Sequence, residues 1–158
     1  MTGDAARREL ARAGSQMRMR VHVTPTGAWD RSERPRSLSI EWAGRVGHPS
    51  SYGLLGGRPY DAPVVMVESY GAIYKESLAG PADEVRWGLP DEYRTTIQET
   101  LAAQPAIVAV NDAAFAAVGS SAHVFAALAT MLATLSTGKL LPDDAELWRL
   151  WDRCWNDV

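Results

Sequence analysis

The stretch from residue 88 to 135 constrains the fold of this chain more than any other part of its sequence. It contains, almost without linkers, a helix start signal, an amphipathic segment, a short apolar run, a Gly-Ser-Ser turn and an alanine-rich apolar segment. Pro90 stands at a first helical position, where its missing N–H is not needed, and Asp91 and Glu92 follow at the positive end of the helix dipole. We therefore expect a helix, a strand and a second helix in this order.

The first helix and the strand are indicated by their residue periods. Tyr93, Ile97 and Leu101 are four residues apart, as on the buried stripe of an amphipathic helix, and Gln104-Pro105 ends the pattern. The run from 106 to 110 is apolar and contains β-branched residues. This composition favours a strand that is buried on both faces.

The second helix follows a turn whose hydroxyl groups are suited to cap it. Gly119-Ser120-Ser121 precedes a segment from Ala122 to about Ser136 that carries apolar residues on all its faces. We expect this helix to be sandwiched between other elements rather than to lie on the surface. Before the turn, Asn111-Asp112 either bends the chain into a further strand or continues the first one, and the pattern does not decide between the two.

The remaining segments complete an α+β fold. Apolar and polar residues alternate over 17–23 and 38–42, which predicts two strands with one wet face, and the composition of 64–68 predicts another strand. Residues 5–13 are typical of a short helix, whereas 44–62, rich in Gly, Pro and Ser, are expected to form an exposed loop. Together these elements predict a two-layer α+β sandwich, with a four- or five-stranded sheet and helices on one face.

The length of 158 residues fits a single domain. We divide it into a basic N-terminal arm or helix (1–16), an α+β core (17–140) and a Trp-rich C-terminal helix (142–157). No apolar stretch approaches the roughly 18 residues needed to span a bilayer, and the first residues lack the apolar segment of a signal peptide. Cys154 is the one cysteine, so it has no partner for an intramolecular disulfide. We therefore expect a cytoplasmic protein that does not enter a membrane.

The chain resembles domain IV of translation elongation factor G in four short motifs. They are a glycine-rich entry, an apolar strand, a helix start and a turn before an apolar helix: Tyr52-Gly53-Leu54-Leu55-Gly56-Gly57, Pro63-Val64-Val65-Met66-Val67, Leu89-Pro90-Asp91-Glu92-Tyr93, and Ser120-Ser121 with Phe125 downstream. The resemblance covers about residues 52 to 135. Two features differ from the family: residues 111–117 stand in place of an extended loop that reaches into the ribosome, and Ala122 replaces the usual acidic residue.

The resemblance implies a βαβ unit with a left-handed crossover. Domain IV shares this fold with one domain of a small-subunit ribosomal protein and with several kinase-like enzyme families. For function, the resemblance implies a translation-related interaction module. It does not imply translocase activity, because the sequence contains no GTP-binding motif.

Charge is distributed unevenly along the chain. Residues 1–36 hold eight Arg against four acidic residues, whereas residues 37–158 hold eight Lys or Arg against fifteen acidic residues. The basic arm either folds onto the acidic body or contacts an acidic partner or RNA, and the charge of the body favours the first. If the arm binds a partner, Arg18 and Arg20 are the candidate contacts.

The C-terminal helix carries a large aromatic face. Asp143 and Glu146 predict a capping box at its start, and three tryptophans follow within eight residues: Trp148, Trp151 and Trp155. These rings either pack on the protein's own sheet or bind a partner or a second copy of the chain, since Trp is enriched at interfaces.

No catalytic residue, metal site or cofactor site stands clear in the sequence. The histidines are far apart, and none lies at metal-ligand spacing from another ligand. The best candidate for anion binding is Gly119-Ser120-Ser121, because free N–H groups converge where a helix begins. An enzyme would need a pocket near His48, Gly56 and Ser120.

Three hypotheses for function follow from these observations. The first is a non-catalytic module, similar to domain IV of elongation factor G, that binds a protein or ribonucleoprotein partner. The second is a small enzyme of the same fold superfamily, and the third is a structural protein that forms a homodimer through its C-terminal helix. We favour the first because of the resemblance and the missing catalytic motif.

Overall fold

The computed structural model describes residues 6–25, 36–45, 51–79, 83–137 and 141–158. Within these ranges the chain forms seven strands and three helices: β1 (Ala6–Ala11), β2 (Arg18–Pro25), β3 (Arg36–Arg45), β4 (Ser51–Pro59), β5 (Val64–Val65), β6 (Val85–Trp87), α1 (Asp91–Ala102), β7 (Val108–Ala116), α2 (Ala122–Ser136) and α3 (Asp144–Asp157). The strands form one sheet in the order β1-β2-β3-β4-β7-β5, and β6 also pairs with β7.

The helices pack on one face of this sheet. Their buried side chains form one hydrophobic cluster with the inward residues of β2, β3, β4 and β7. Strands β1 to β4 and β7 pair antiparallel, whereas β5 pairs parallel with β7 and α1 connects the two. The predicted α+β sandwich is therefore confirmed, with more strands than the four or five expected.

Three strands, β1, β4 and β6, were not predicted, and for β1 and β4 the local sequence favoured other structures. Residues 6–11 form β1 rather than a helix or a free arm, because pairing with β2 from Ala6↔Val23 to Ala11↔Arg18 outweighs the helix propensity of the segment. Within the predicted loop 44–62, residues 51–59 form β4, whose positions 52–57 are all buried. The loop prediction is therefore wrong for residues 51–59, whereas residues 46–50 lie outside the described ranges.

The glycines of β4 allow close packing rather than a turn. A Cβ atom at Gly53 would lie 2.8 Å from both Val124 Cγ1 and Leu128 Cδ1 of α2. These distances are too short for a side chain at this position, so α2 rests directly on the β4 backbone. The sandwiched position predicted for α2 is confirmed, since ten of its side chains are buried.

A bulge interrupts the pairing of β4 with β7. Gly56 is opposite Asp112 and Gly57 is opposite Val110, so Asn111 is an extra residue on β7. A bulge of this kind bends a strand and redirects its side chains. The strand therefore continues through Asn111-Asp112, which the sequence pattern could not decide.

Candidate functional site

Residues 66–79 between β5 and β6 form a segment that we call the strap, and its second half, from Tyr74 to Ala79, covers the sheet face opposite the helices. Leu78 and Ala79 of the strap are buried in a second apolar cluster with residues of β3, β4 and β7. The ring of Tyr74 stacks on that of Trp87 with their centroids 4.3 Å apart. The strap is thus packed onto the sheet by its own side chains.

The carboxylate of Glu41 fastens the strap to β3. Glu41 is 2% exposed, and its oxygens accept hydrogen bonds from the Tyr52 hydroxyl at 2.7 Å, the Leu78 N–H at 2.8 Å and the Arg20 guanidinium at 3.0 Å. The Tyr74 hydroxyl lies 3.3 Å from the same carboxylate. Burial, with the nearby charge of Glu41, raises the pKa of Tyr52. Tyr52 therefore stays protonated and remains a donor.

Beside the strap, the bulge in β7 opens a cleft that we call the bulge cleft. It has a volume of about 280 Å³. The residues that matter for its chemistry are Met66, Glu68, Trp87, Gly88, Asn111 and Asp112. The cleft exists because β5 pairs with β7 up to Val110 and β6 pairs with β7 from Ala114 onward, which leaves a gap at the bulge.

A second, polar cleft adjoins it on the same sheet face. Its volume is about 130 Å³, and its polar and glycine lining includes His22, Thr24, Ser37, Ser39, Gly56 and Asp112. His22, Ser39, Gly56 and Asp112 are cross-strand neighbours on β2, β3, β4 and β7. Since Gly56 has no side chain, the space between Ser39 and Asp112 is open; a Cβ atom there would lie about 3 Å from both.

Asp112 lies where the two clefts meet. Burial raises the pKa of its carboxyl group, and a hydrogen bond with the Ala113 backbone opposes the shift. None of the described cations forms an ion pair with it. A carboxyl group of raised pKa in a cleft is a common feature of binding and catalytic sites.

The structure places the basic arm against the acidic body. Arg12 donates to both Asp152 oxygens at 2.7 and 2.6 Å, and Arg8 lies 3.4 Å from Asp144. Arg18 donates to the Leu78 carbonyl at 2.7 Å, while Arg20 is paired with Glu41. Arg18 and Arg20 therefore hold the strap, and Arg20 is not available as an exposed contact for RNA or protein.

The tryptophan face of α3 packs inside the chain. Trp151 is 1% exposed and Trp148 is also buried. The rings of Trp151 and Trp155 lie 4.6 and 5.2 Å from that of Trp42 on β3. Trp148 and Trp151 are thus buried in the protein's own core, and Trp155, which is partly buried, packs against it. This arrangement favours the first of the two interpretations, in which the rings pack on the protein's own sheet.

The turn before α2 is likewise used within the chain. The Ser121 hydroxyl accepts a hydrogen bond from the Val124 N–H, as an N-cap does, and the Ser120 hydroxyl donates to the Tyr52 carbonyl at 2.8 Å. The Gly119 N–H donates to the buried Asp83 carboxylate at 2.8 Å. An internal carboxylate thus stands where an external anion was expected, so the predicted anion site is already filled.

The pocket required by the enzyme hypothesis is not assembled by the described residues. Ser120 contacts Tyr52, whereas Gly56 lies four residues further along β4, about 13 Å away at strand spacing. His48 lies outside the described residues. In the described part of the chain, no group of three His, Cys, Asp or Glu side chains is arranged to hold a metal ion. No helix in these ranges is both long and apolar enough to cross a bilayer.

Sequence reasoning missed Glu41, Asp112 and the strap. Glu41 carried a usable signal, because it lies directly opposite Arg20 once β2 and β3 are placed in register. Asp112 carried another, since two polar residues interrupt an apolar run. The strap had none, because its residues are ordered by contacts with distant strands.

In comparisons with known proteins, no family model, curated protein or solved structure matches this chain. The features that bear on function are therefore the strap and the two clefts.

Proposed function

We propose that this protein is a non-catalytic interaction module, similar to domain IV of translation elongation factor G, that binds a protein partner through the strap. The observation that carries the proposal is that three of the seven large apolar side chains exposed in the described residues lie on this segment. Tyr70, Met66 and Ile73 are 67%, 48% and 48% exposed. These three residues lie within eight positions of the chain, and exposed apolar surface, where it is contiguous, marks interaction sites.

The arrangement of charge supports a protein partner rather than a ribonucleoprotein. The described arginines at positions 8, 12 and 20 are paired with acidic residues, and the body of the chain is acidic. Both features oppose binding to nucleic acid, which depends on unpaired cations. The sequence resemblance over residues 52–135 supports a partner that belongs to the translation machinery.

Site-specific cross-linking in cells of the source organism tests this proposal. A photoreactive phenylalanine analogue replaces Tyr70 or, in a second variant, Ile73. The matched control carries the analogue at Val118, which is 62% exposed but lies on the turn after β7. We expect one protein to be cross-linked from positions 70 and 73 and not from position 118.

A competing substitution makes the result specific. Met66→Ser combined with Ile73→Ser, in the chain that carries the analogue at position 70, should abolish the cross-link while the circular dichroism spectrum is unchanged. Equal cross-linking from positions 70 and 118, or no cross-link from the strap, would contradict the proposal. A cross-linked adduct whose mass falls on nuclease treatment would show that the strap binds nucleic acid and would also contradict the proposal.

A further inference from the structure

We propose that the bulge cleft binds a lysine or arginine side chain presented by the protein partner, with the cationic group next to Asp112. The inference rests on the proposed function, because it names the chemistry by which the partner of the strap is held. The charge of the cleft, its apolar walls and the glycine in its lining support this assignment.

The charge of the cleft favours a cation. The charged side chains among its described lining residues are Glu68 and Asp112, and both are acidic. No described cation pairs with Asp112, although other carboxylates of this sheet face, such as Glu41, have an arginine partner. A positively charged group of a partner would supply the missing counter-charge.

The walls of the cleft fit the long alkyl part of such a side chain. Met66, Val67 and Trp87 line it, and Met66 remains 48% exposed. Lysine and arginine side chains place their methylene groups along apolar surfaces while the charged end meets polar groups. The indole ring of Trp87 adds attraction for a cation placed over its face.

Gly88 leaves one part of the cleft lining without a side chain. Gly88 has φ of +119°, and a Cβ atom there would lie 2.9 Å from the Glu68 carbonyl oxygen. Only glycine fits this position without strain. With a volume of about 280 Å³, the cleft has room for one extended side chain. An anion would be repelled by both carboxylates.

Nuclear magnetic resonance of the full ¹⁵N-labelled chain tests the inference. The probes are the Nα-acetyl methylamides of lysine and arginine, and the control is the same derivative of norleucine, which has the alkyl chain without the ammonium group. The signals to follow are the Trp87 indole N–H and the Ala113 amide. We expect saturable shifts with the lysine and arginine probes and none with the norleucine probe.

Substitutions identify the group that binds. Asp112→Asn should weaken the affinity for the lysine probe at least tenfold, while Asp61→Asn, on an exposed turn outside the cleft, should leave it unchanged. Asp112→Asn keeps a similar shape and removes a partly buried charge, so the variant is expected to fold. Equal affinity of the wild type and Asp112→Asn, or equal shifts with the norleucine probe, would overturn the inference.

The two proposals fail in different ways. If the strap cross-links a protein but the lysine probe produces no shift, the inference about the cleft is wrong and the proposed function stands. If the probe binds through Asp112 but cross-linking from positions 70 and 118 is equal, the cleft takes a free cationic ligand. The proposed function and the partner named in this inference are then both wrong.

Discussion

In its ionised form, the Asp112 carboxylate lowers the stability of the folded chain. A site for a cation needs this same ionised form. Its carboxyl group is partly buried, accepts a hydrogen bond from its neighbour and lacks a described cation. Removing a charge from water without a partner is unfavourable. Residues that serve a binding site often reduce stability in this way.

Asp112→Asn should therefore stabilise the protein at neutral pH. The pKa of Asp112 is raised in the folded state, so the wild type gains stability as the pH falls through that pKa. The variant does not ionise at this position. We expect its urea midpoint to exceed that of the wild type at pH 7, and the difference to shrink toward the pKa of an ordinary aspartate, about 3.9.

The matched control for this experiment is Asp61→Asn. Asp61 is exposed, so the urea midpoint should be close to that of the wild type throughout the same pH range. A destabilised Asp112→Asn variant at pH 7 would show that the carboxylate makes a favourable interaction in the folded state, contrary to the burial argument.

At the scale of elements, α2 lies at the centre of the core, where it packs on both β4 and α1. Phe125 of α2 is fully buried, and its ring lies 5.0 Å from that of Tyr93 on α1. Gly53 on β4 lets α2 approach from the other side. The helix therefore joins the sheet and the neighbouring helix through side chains that have no room to rearrange.

Phe125→Ala should lower the free energy of unfolding by about 3–5 kcal/mol, because it removes a buried ring and leaves a cavity. Urea denaturation followed by circular dichroism measures the loss. Thr134→Ala, an exposed position on the same helix, serves as control and should change stability by less than about 0.5 kcal/mol. A loss below about 1 kcal/mol for Phe125→Ala would mean that the ring is not held as described.

The sequence predicted the elements whose signals are local. The period of Tyr93, Ile97 and Leu101 identified α1, and the uniformly apolar segment after Ser121 identified a sandwiched α2. The sequence did not predict β4, because a sequence pattern does not show whether a glycine forms part of a turn or allows a helix to pack closely on a strand. Gly53 does the second, through contacts with residues more than seventy positions away.

At the scale of the whole molecule, an ion pair joins the first strand to the last helix. Arg12, directly after β1, and Asp152 on α3 form two hydrogen bonds across 140 residues of sequence, and the Arg12 guanidinium also lies over the Trp148 ring at 5.4 Å. The basic segment is thus folded onto the acidic body, one of the two outcomes that the charge distribution allowed. Charge counting alone could not show which acidic residues it would meet.

A double-mutant cycle with Arg12→Ala and Asp152→Ala should give a coupling energy of about 0.5–1 kcal/mol at low salt, because both side chains are partly exposed. The hydrogen bond with Arg12 lowers the pKa of Asp152. The coupling is therefore present at neutral pH and is lost as the pH falls through that lowered pKa. Added salt should also reduce it.

A cycle on Arg7 and Glu9 provides the control. These side chains are both more than half exposed and 4.0 Å apart, so their coupling should be close to zero. Equal coupling in the two pairs, or no change for Arg12 and Asp152 on acidification, would contradict the role assigned to this ion pair.

If a partner binds the strap as proposed, the buried carboxylate of Glu41 affects how the two associate. Because it binds the Leu78 N–H and lies next to the Tyr74 hydroxyl, the strap has its shape before any partner arrives. A preorganised surface loses little conformational entropy on binding. Its association rate is then set by diffusion and orientation, and differences in affinity between partners appear mainly in how slowly each one dissociates.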